Sequence, residues 1–171
     1  MNTFLINVQD VKDNSYLTDG VDDKVVKTAL LNCQEQLLEP VIGSKLYDYL
    51  IAGINEGTLP IAYMNLIVQK IWKPLIHGTC YMIARNLLWR MTNSAIVQDS
   101  NTNSSAISRA DLEAMRSDYE SSYQHHIKKL QLYLQNNTAS FPEYYEYDPD
   151  DLPASGPENA INFYYDGEDQ T

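Results

Sequence analysis

Residues Ile61–Thr92, IAYMNLIVQKIWKPLIHGTCYMIARNLLWRMT, are apolar almost all round, with Ile67, Ile71, Trp72, Leu75, Ile76, Met82, Ile83, Leu87, Leu88 and Trp89 leaving no polar face for solvent. A helix of that character is one that other helices surround. The segment therefore predicts an all-α fold: a helical bundle with this stretch as its buried central helix. Pro74 lacks a backbone donor and its ring clashes one turn back, and Gly78 lies just beyond, so two helices meeting near Lys73 or one kinked rod are both expected. No membrane span is expected. Lys70, Lys73, Pro74, Arg85 and Arg90 interrupt the segment, and the charge-free run from Pro74 to Ala84 is far below the roughly 20 residues a bilayer requires.

Upstream, Val26, Leu30, Cys33 and Leu37 recur at helical spacing and predict a packing helix from about Val21 until Pro40 interrupts it. Asp22 and Asp23 place favourable negative charge at its N-terminus. Ser44 is positioned to cap a shorter helix carrying Leu46, Tyr47, Leu50 and Ile54, with Asn55-Glu56-Gly57 as its stop. Downstream, Thr92 to Ile107 is rich in Asn and Ser and reads as a projecting loop, ordered by assembly. Ser108-Arg109-Ala110-Asp111 has the form of a capping box, and Leu112, Met115, Tyr119, Tyr123, Ile127, Leu130 and Leu134 predict a long amphipathic helix ending near Asn136-Asn137. Strand signals are weak; Phe4–Val8 is the best candidate, as a strand or an extended segment. The N-terminus carries no basic segment and too short an apolar run for a signal peptide, so synthesis and residence in the cytosol are expected.

The 171 residues suit one domain plus an appendage. The formal net charge of −11 is unevenly spread: up to Ser140, 14 acidic residues face 12 basic ones, whereas Phe141–Thr171 holds nine acidic residues and no Lys or Arg. This divides the chain into a helical domain, 1–140, and an acidic, aromatic, extended C-terminal arm, 141–171. Phe141, Tyr144, Tyr145 and Tyr147 form one aromatic cluster and Phe163, Tyr164 and Tyr165 a second, separated by an Asp- and Pro-rich spacer. The layout is that of a partner-binding arm with two anchors; a solvated acidic terminus is the plainer alternative. Concentrated acid repels phosphate, which argues against a DNA or RNA reader and leaves an acidic nucleic-acid mimic as the alternative function.

No catalytic constellation can be assembled, and no enzyme is expected. Nucleophile signatures, phosphate-binding loops and dinucleotide fingerprints are absent from the sequence. His125 and His126 point about 100° apart on a helix and cannot share a metal as an i, i+4 pair would, and His77 stands alone in the central segment. Cys33 and Cys80 read as buried, reduced core residues. No metal or cofactor is expected. Lys70, Lys73, Arg85 and Arg90 are the only charges between Ile61 and Met91; they either snorkel from the core or form a basic strip receiving the arm of the same or a neighbouring chain.

Several phrases in order, Glu39–Leu50 (EPVIGSKLYDYL), Gly57–Pro60 (GTLP), Trp72–His77 (WKPLIH), Met91–Val97 (MTNSAIV) and Phe141–Tyr144 (FPEY), resemble the head-to-tail connector family of tailed phages infecting Bacteroidetes, including the ring proteins below the portal in crAss-like phages. The resemblance covers most of Leu17 to Tyr145. It implies a mostly helical, non-enzymatic virion structural protein made in the host bacterial cytoplasm. Such an adaptor docks below the portal at the head–tail junction as a homo-oligomeric ring, usually twelvefold. It continues the DNA channel, which DNA passes without specific binding, and offers a surface to the next tail or ring protein.

Overall fold

The computed structural model describes residues 3–15, 21–87, 89–91, 96–98 and 109–144. Thr3–Asn7 bend at Leu5 and Ile6 and Val8 already opens α1 (Val8–Asp13), so the segment around Phe4–Val8 is an irregular lead-in rather than a paired strand. Asp10 turns back to accept from the Asn7 backbone N–H at 2.9 Å, closing the first turn. Leu5 and Ile6 enter the core and take their polar backbone with them. Gln34, fully buried, satisfies it: its side-chain oxygen accepts from the Leu5 N–H at 2.8 Å, and its amide donates to the Thr3 carbonyl at 3.2 Å.

Asp22 caps α2 (Asp23–Cys33) by accepting from the Lys24 N–H. The helix does not stop at Pro40. It continues through a π-turn, Gln34–Leu38, into α3 (Glu39–Ile42). A proline ring clashes with the carbonyl four residues back, here that of Gln36, and the wide turn displaces that carbonyl. The extra residue also rotates the buried face, so Leu38 is fully buried where the unbroken spacing points to Leu37. The chain turns at Gly43 (φ 81°, ψ 149°), a conformation only glycine adopts without strain. α4 (Ser44–Glu56) follows and ends at Gly57 in the left-handed conformation, as its stop signal predicts. Ser44 is not the cap; it is the first helical residue, buried, and its hydroxyl donates to Glu39 Oε1 at 2.7 Å.

α5 (Ile61–Leu66), a second π-turn at Ile67–Ile71 and α6 (Trp72–Leu87) form one continuous helical run. The solution found at Pro40 recurs: the carbonyl four residues before Pro74, that of Lys70, lies within the wide turn. Leu66, Ile71, Leu75, Ile76, Cys80 and Ile83 are buried. The first turns are not surrounded, however, since Ile61, Met64 and Val68 are 77, 52 and 67% exposed. The run ends at Leu87 rather than Thr92. β1 (Trp89–Met91) and β2 (Ile96–Gln98) pair antiparallel, with Arg90 opposite Val97. Part of the stretch expected as loop, Ile96–Gln98, is thus a strand, in keeping with its β-branched Ile96 and Val97. The Ser108 cap and the rest of the loop lie outside the described residues.

α7 (Arg109–Asn136) buries Leu112, Tyr119, Tyr123, Ile127, Leu130 and Leu134 along one face. The most extensive packing is α6 on α7, followed by α2 on α6. Gly78 is where the three meet: a Cβ there would lie 2.5 Å from Cys33 Sγ on α2 and 3.1 Å from the Tyr123 ring on α7. Two short 3-10 turns, Thr138–Ser140 and Pro142–Tyr144, then fold Phe141 and Tyr144 into the core. The folded body therefore reaches past Ser140 to at least Tyr144. The fold is all-α, with the small hairpin as an attachment.

Replacing Gln34 by Ala strips the Leu5 amide of its partner in a dry environment and should cost about 1–3 kcal/mol. Urea unfolding measures the loss, and faster amide exchange at Leu5 localises it.

Candidate functional site

Three surfaces among the described residues stand out for their chemistry or unpartnered apolar area. The first lies where the N-terminal segment crosses α4 and α5. Phe4, Ile54, Leu59, Met64, Val68 and Trp72 line a groove of about 510 Å³, with Asp10 the one charged residue among the described residues of its wall. Ile61 is also exposed, at helical spacing from Met64 and Val68. Composition alone does not reveal this face, because an apolar segment reads as core until the packing of its neighbours is known.

The second surface is the aromatic cradle that receives the end of the body. Phe141, 1% exposed, meets the Tyr63 ring edge-on at 5.2 Å and the Tyr133 ring at 6.0 Å, and Tyr49 lies 4.7 Å from Tyr63. Tyr63 Oη donates to Glu143 Oε2 at 2.6 Å; burial and that carboxylate push the phenol up from its ordinary pKa. Phe141 and Tyr144, expected as interface anchors for a partner, are thus core residues of their own chain. Proline at 142 and the turn that follows were the available signal, since they permit a tight fold-back after α7. Tyr145, Tyr147, Phe163, Tyr164 and Tyr165 lie outside the described residues.

The third surface runs along the seam between α6 and α7. Lys70 Nζ lies 4.7 Å from the centroid of the Tyr133 ring, a cation–π contact. Lys73 is exposed at the start of α6, and His77 follows it one turn later on the same face. His77 does not stand alone. Its ring stacks on His126 of α7, centroids 5.2 Å apart and planes within 9°, and His125 meets His126 edge-on at 5.3 Å. Burial, then the charges of His77, His125, Lys73 and Lys129, hold His126 down at a pKa of about 4; burial and Lys73 lower His77. The antiparallel register of α6 and α7 makes the pairing, which spacing along one helix cannot show.

The four cations, read either as snorkelling or as a basic strip, fall in different parts of the fold. Lys70 and Lys73 belong to the seam, whereas Arg85 lies about 18 Å further along α6, beside Glu120 and Tyr123. Arg90 belongs to β1, and its side chain is outside the description. Cys33 and Cys80 are buried and free, and burial pushes the Cys33 thiol up to about 12. Among the described residues, no group of three or more His, Cys, Asp or Glu side chains could hold a metal ion, and no helix is long and apolar enough to cross a membrane.

One family accounts for residues 38–149, from the π-turn through the aromatic cradle. The chain belongs to DUF6712, a family of unknown function. The matched region holds the cradle, the seam and the α4–α5 side of the groove, whose other wall, Phe4–Asp10, lies before it. No curated protein and no solved structure matches the chain.

Replacing Phe141 by Ala should cost about 3–5 kcal/mol in urea unfolding, the loss expected of a buried aromatic. Tyr63→Phe should cost about 1 kcal/mol and speed amide exchange at Phe141 and Tyr144. An unchanged stability in the Phe141 variant would place that ring outside the core.

Proposed function

We propose that the chain is a non-enzymatic virion structural protein, a head-to-tail connector (adaptor) ring subunit that docks below the portal and continues the DNA channel to the tail. The phrases between Glu39 and Tyr144 that resemble connector proteins support this reading, and they fall in the region the DUF6712 family covers. The observation that carries it is the face of Ile61, Met64 and Val68, open to water beside an apolar groove in the isolated chain. Apolar faces of this kind mark surfaces that a partner covers. A ring subunit has such a need on two sides, because each copy presents one surface to the copy before it and a different one to the copy after.

In this reading twelve copies form the ring, the portal lies above and the next tail or ring protein below. DNA passes without specific binding. The alternative, an acidic nucleic-acid mimic, calls for carboxylates displayed over the folded body, whereas the α6–α7 surface carries Lys70, Lys73 and Lys129.

The test is a double substitution, Ile61→Asp with Val68→Asp. Both side chains are exposed, so stability should change by no more than about 0.5 kcal/mol per site. Incorporation into particles, measured by immunoblot of purified virions, should fall at least tenfold. Incorporation equal to that of the unaltered chain would remove the apolar face from the assembly and with it the main support for the connector reading.

A further inference from the structure

The α6–α7 seam is, among the described residues, a cationic surface without a counter-charge. Lys70, Lys73 and His77 follow one another at spacings of three and four, as His126, Lys129 and Tyr133 do on α7, and the contacts Lys70–Tyr133 and His77–His126 set the two rows side by side. No Asp or Glu occurs between Gly57 and Gln98 or between Ser121 and Pro142. The ion pairs Lys12–Asp23 and Glu113–Arg116 lie elsewhere. Burial is the first cause of the depressed His126 pKa, and the charges of His77, His125, Lys73 and Lys129 add to it.

The complementary chemistry is carried by the same sequence. Phe163-Tyr164-Tyr165-Asp166-Gly167-Glu168-Asp169 joins three aromatic rings to three carboxylates with no base among them. We infer that the seam of one copy receives the Phe163–Asp169 segment of a second copy, with the carboxylates on Lys73 and Lys129 and the rings against the stacked His77–His126 pair and Lys70. This builds on the proposed ring, since it supplies a contact between successive subunits.

Reach allows the second copy that the proposed ring supplies. From Tyr145 to Asn162 is a spacer containing Pro149, Pro153 and Pro157, which spans about 55 Å when extended. A body of this size is only about 40 Å across. Donor segment and acceptor seam are different surfaces of one chain, so their pairing is heterologous and propagates head to tail, closing where the rotation allows. Nucleic acid is the competing polyanion, but a chain of net charge −11 repels it at long range.

A complementation experiment in free protein tests this. One variant carries Lys73→Glu and Lys129→Glu, keeping its donor segment; the other ends after Asn162, keeping its seam. A third, with Phe163, Tyr164 and Tyr165 all changed to Ser, repeats the donor loss without truncation. Circular dichroism establishes that each is folded. In sedimentation velocity the unaltered chain should self-associate, each variant alone should do so at least tenfold more weakly, and the seam variant mixed with the truncated chain should restore a one-to-one pair. Association should weaken as salt rises. A concentration-independent monomer for the unaltered chain, variants that associate as it does, or a mixture that forms no pair would each overturn the inference. So would a seam substitution that abolishes binding of a labelled DNA duplex while leaving self-association intact. Portal docking is absent from this readout, so failure here and failure of the apolar-face test remain separate results.

Discussion

The close approach of three helices at Gly78 is the constraint on which the rest of the body depends. α2 and α7 both come within contact of α6 at a point where even a methyl group would meet Cys33 Sγ and the Tyr123 ring. Interiors are packed too densely to absorb that atom unless the Cys33 side chain, or the helix that carries it, shifts. His77 is the adjacent residue, so the register that brings its ring onto His126 is set by the same junction. The buried faces of α2 and α7, including Leu30, Cys33, Tyr123 and Ile127, converge around it.

The two prolines show how a long helix can survive a residue that should end it. Pro40 and Pro74 each follow a π-turn that contains the carbonyl their rings would strike. A wide turn costs hydrogen-bond geometry but keeps the helix running, and it moves every later side chain around the axis. Gln34 sits at the start of the first such turn and links it to the N-terminal segment through its hydrogen bonds to Thr3 and Leu5.

Helix spacing made most of the fold legible: the apolar positions of α7, the stop at Gly57 and the all-α class follow from pattern alone. Local rules failed where a distant contact decides. Pro40 reads as a stop because the π-turn is not encoded in spacing, and Gly78 reads as a weak point because its neighbours come from α2 and α7. The surfaces were harder still. Phe141 and Tyr144 belong chemically to an aromatic arm, yet the turn at Pro142 returns them to Tyr63 and its neighbours. His77 and His126 are 49 positions apart, and only the antiparallel packing of their helices unites them. The exposed face of α5 was hidden by its own apolarity, since an apolar helix looks buried until its partners are counted.

The exposed face of Ile61, Met64 and Val68 and the cationic α6–α7 seam are the surfaces on which the proposed connector role rests. Cryo-electron microscopy of the head–tail junction in assembled particles reaches the connector assignment most directly. A closed ring of this chain beneath the portal, with Ile61, Met64 and Val68 covered by a neighbouring protein, is the expected result. Absence of the chain from the junction, or a ring in which that face is open to solvent, would contradict it.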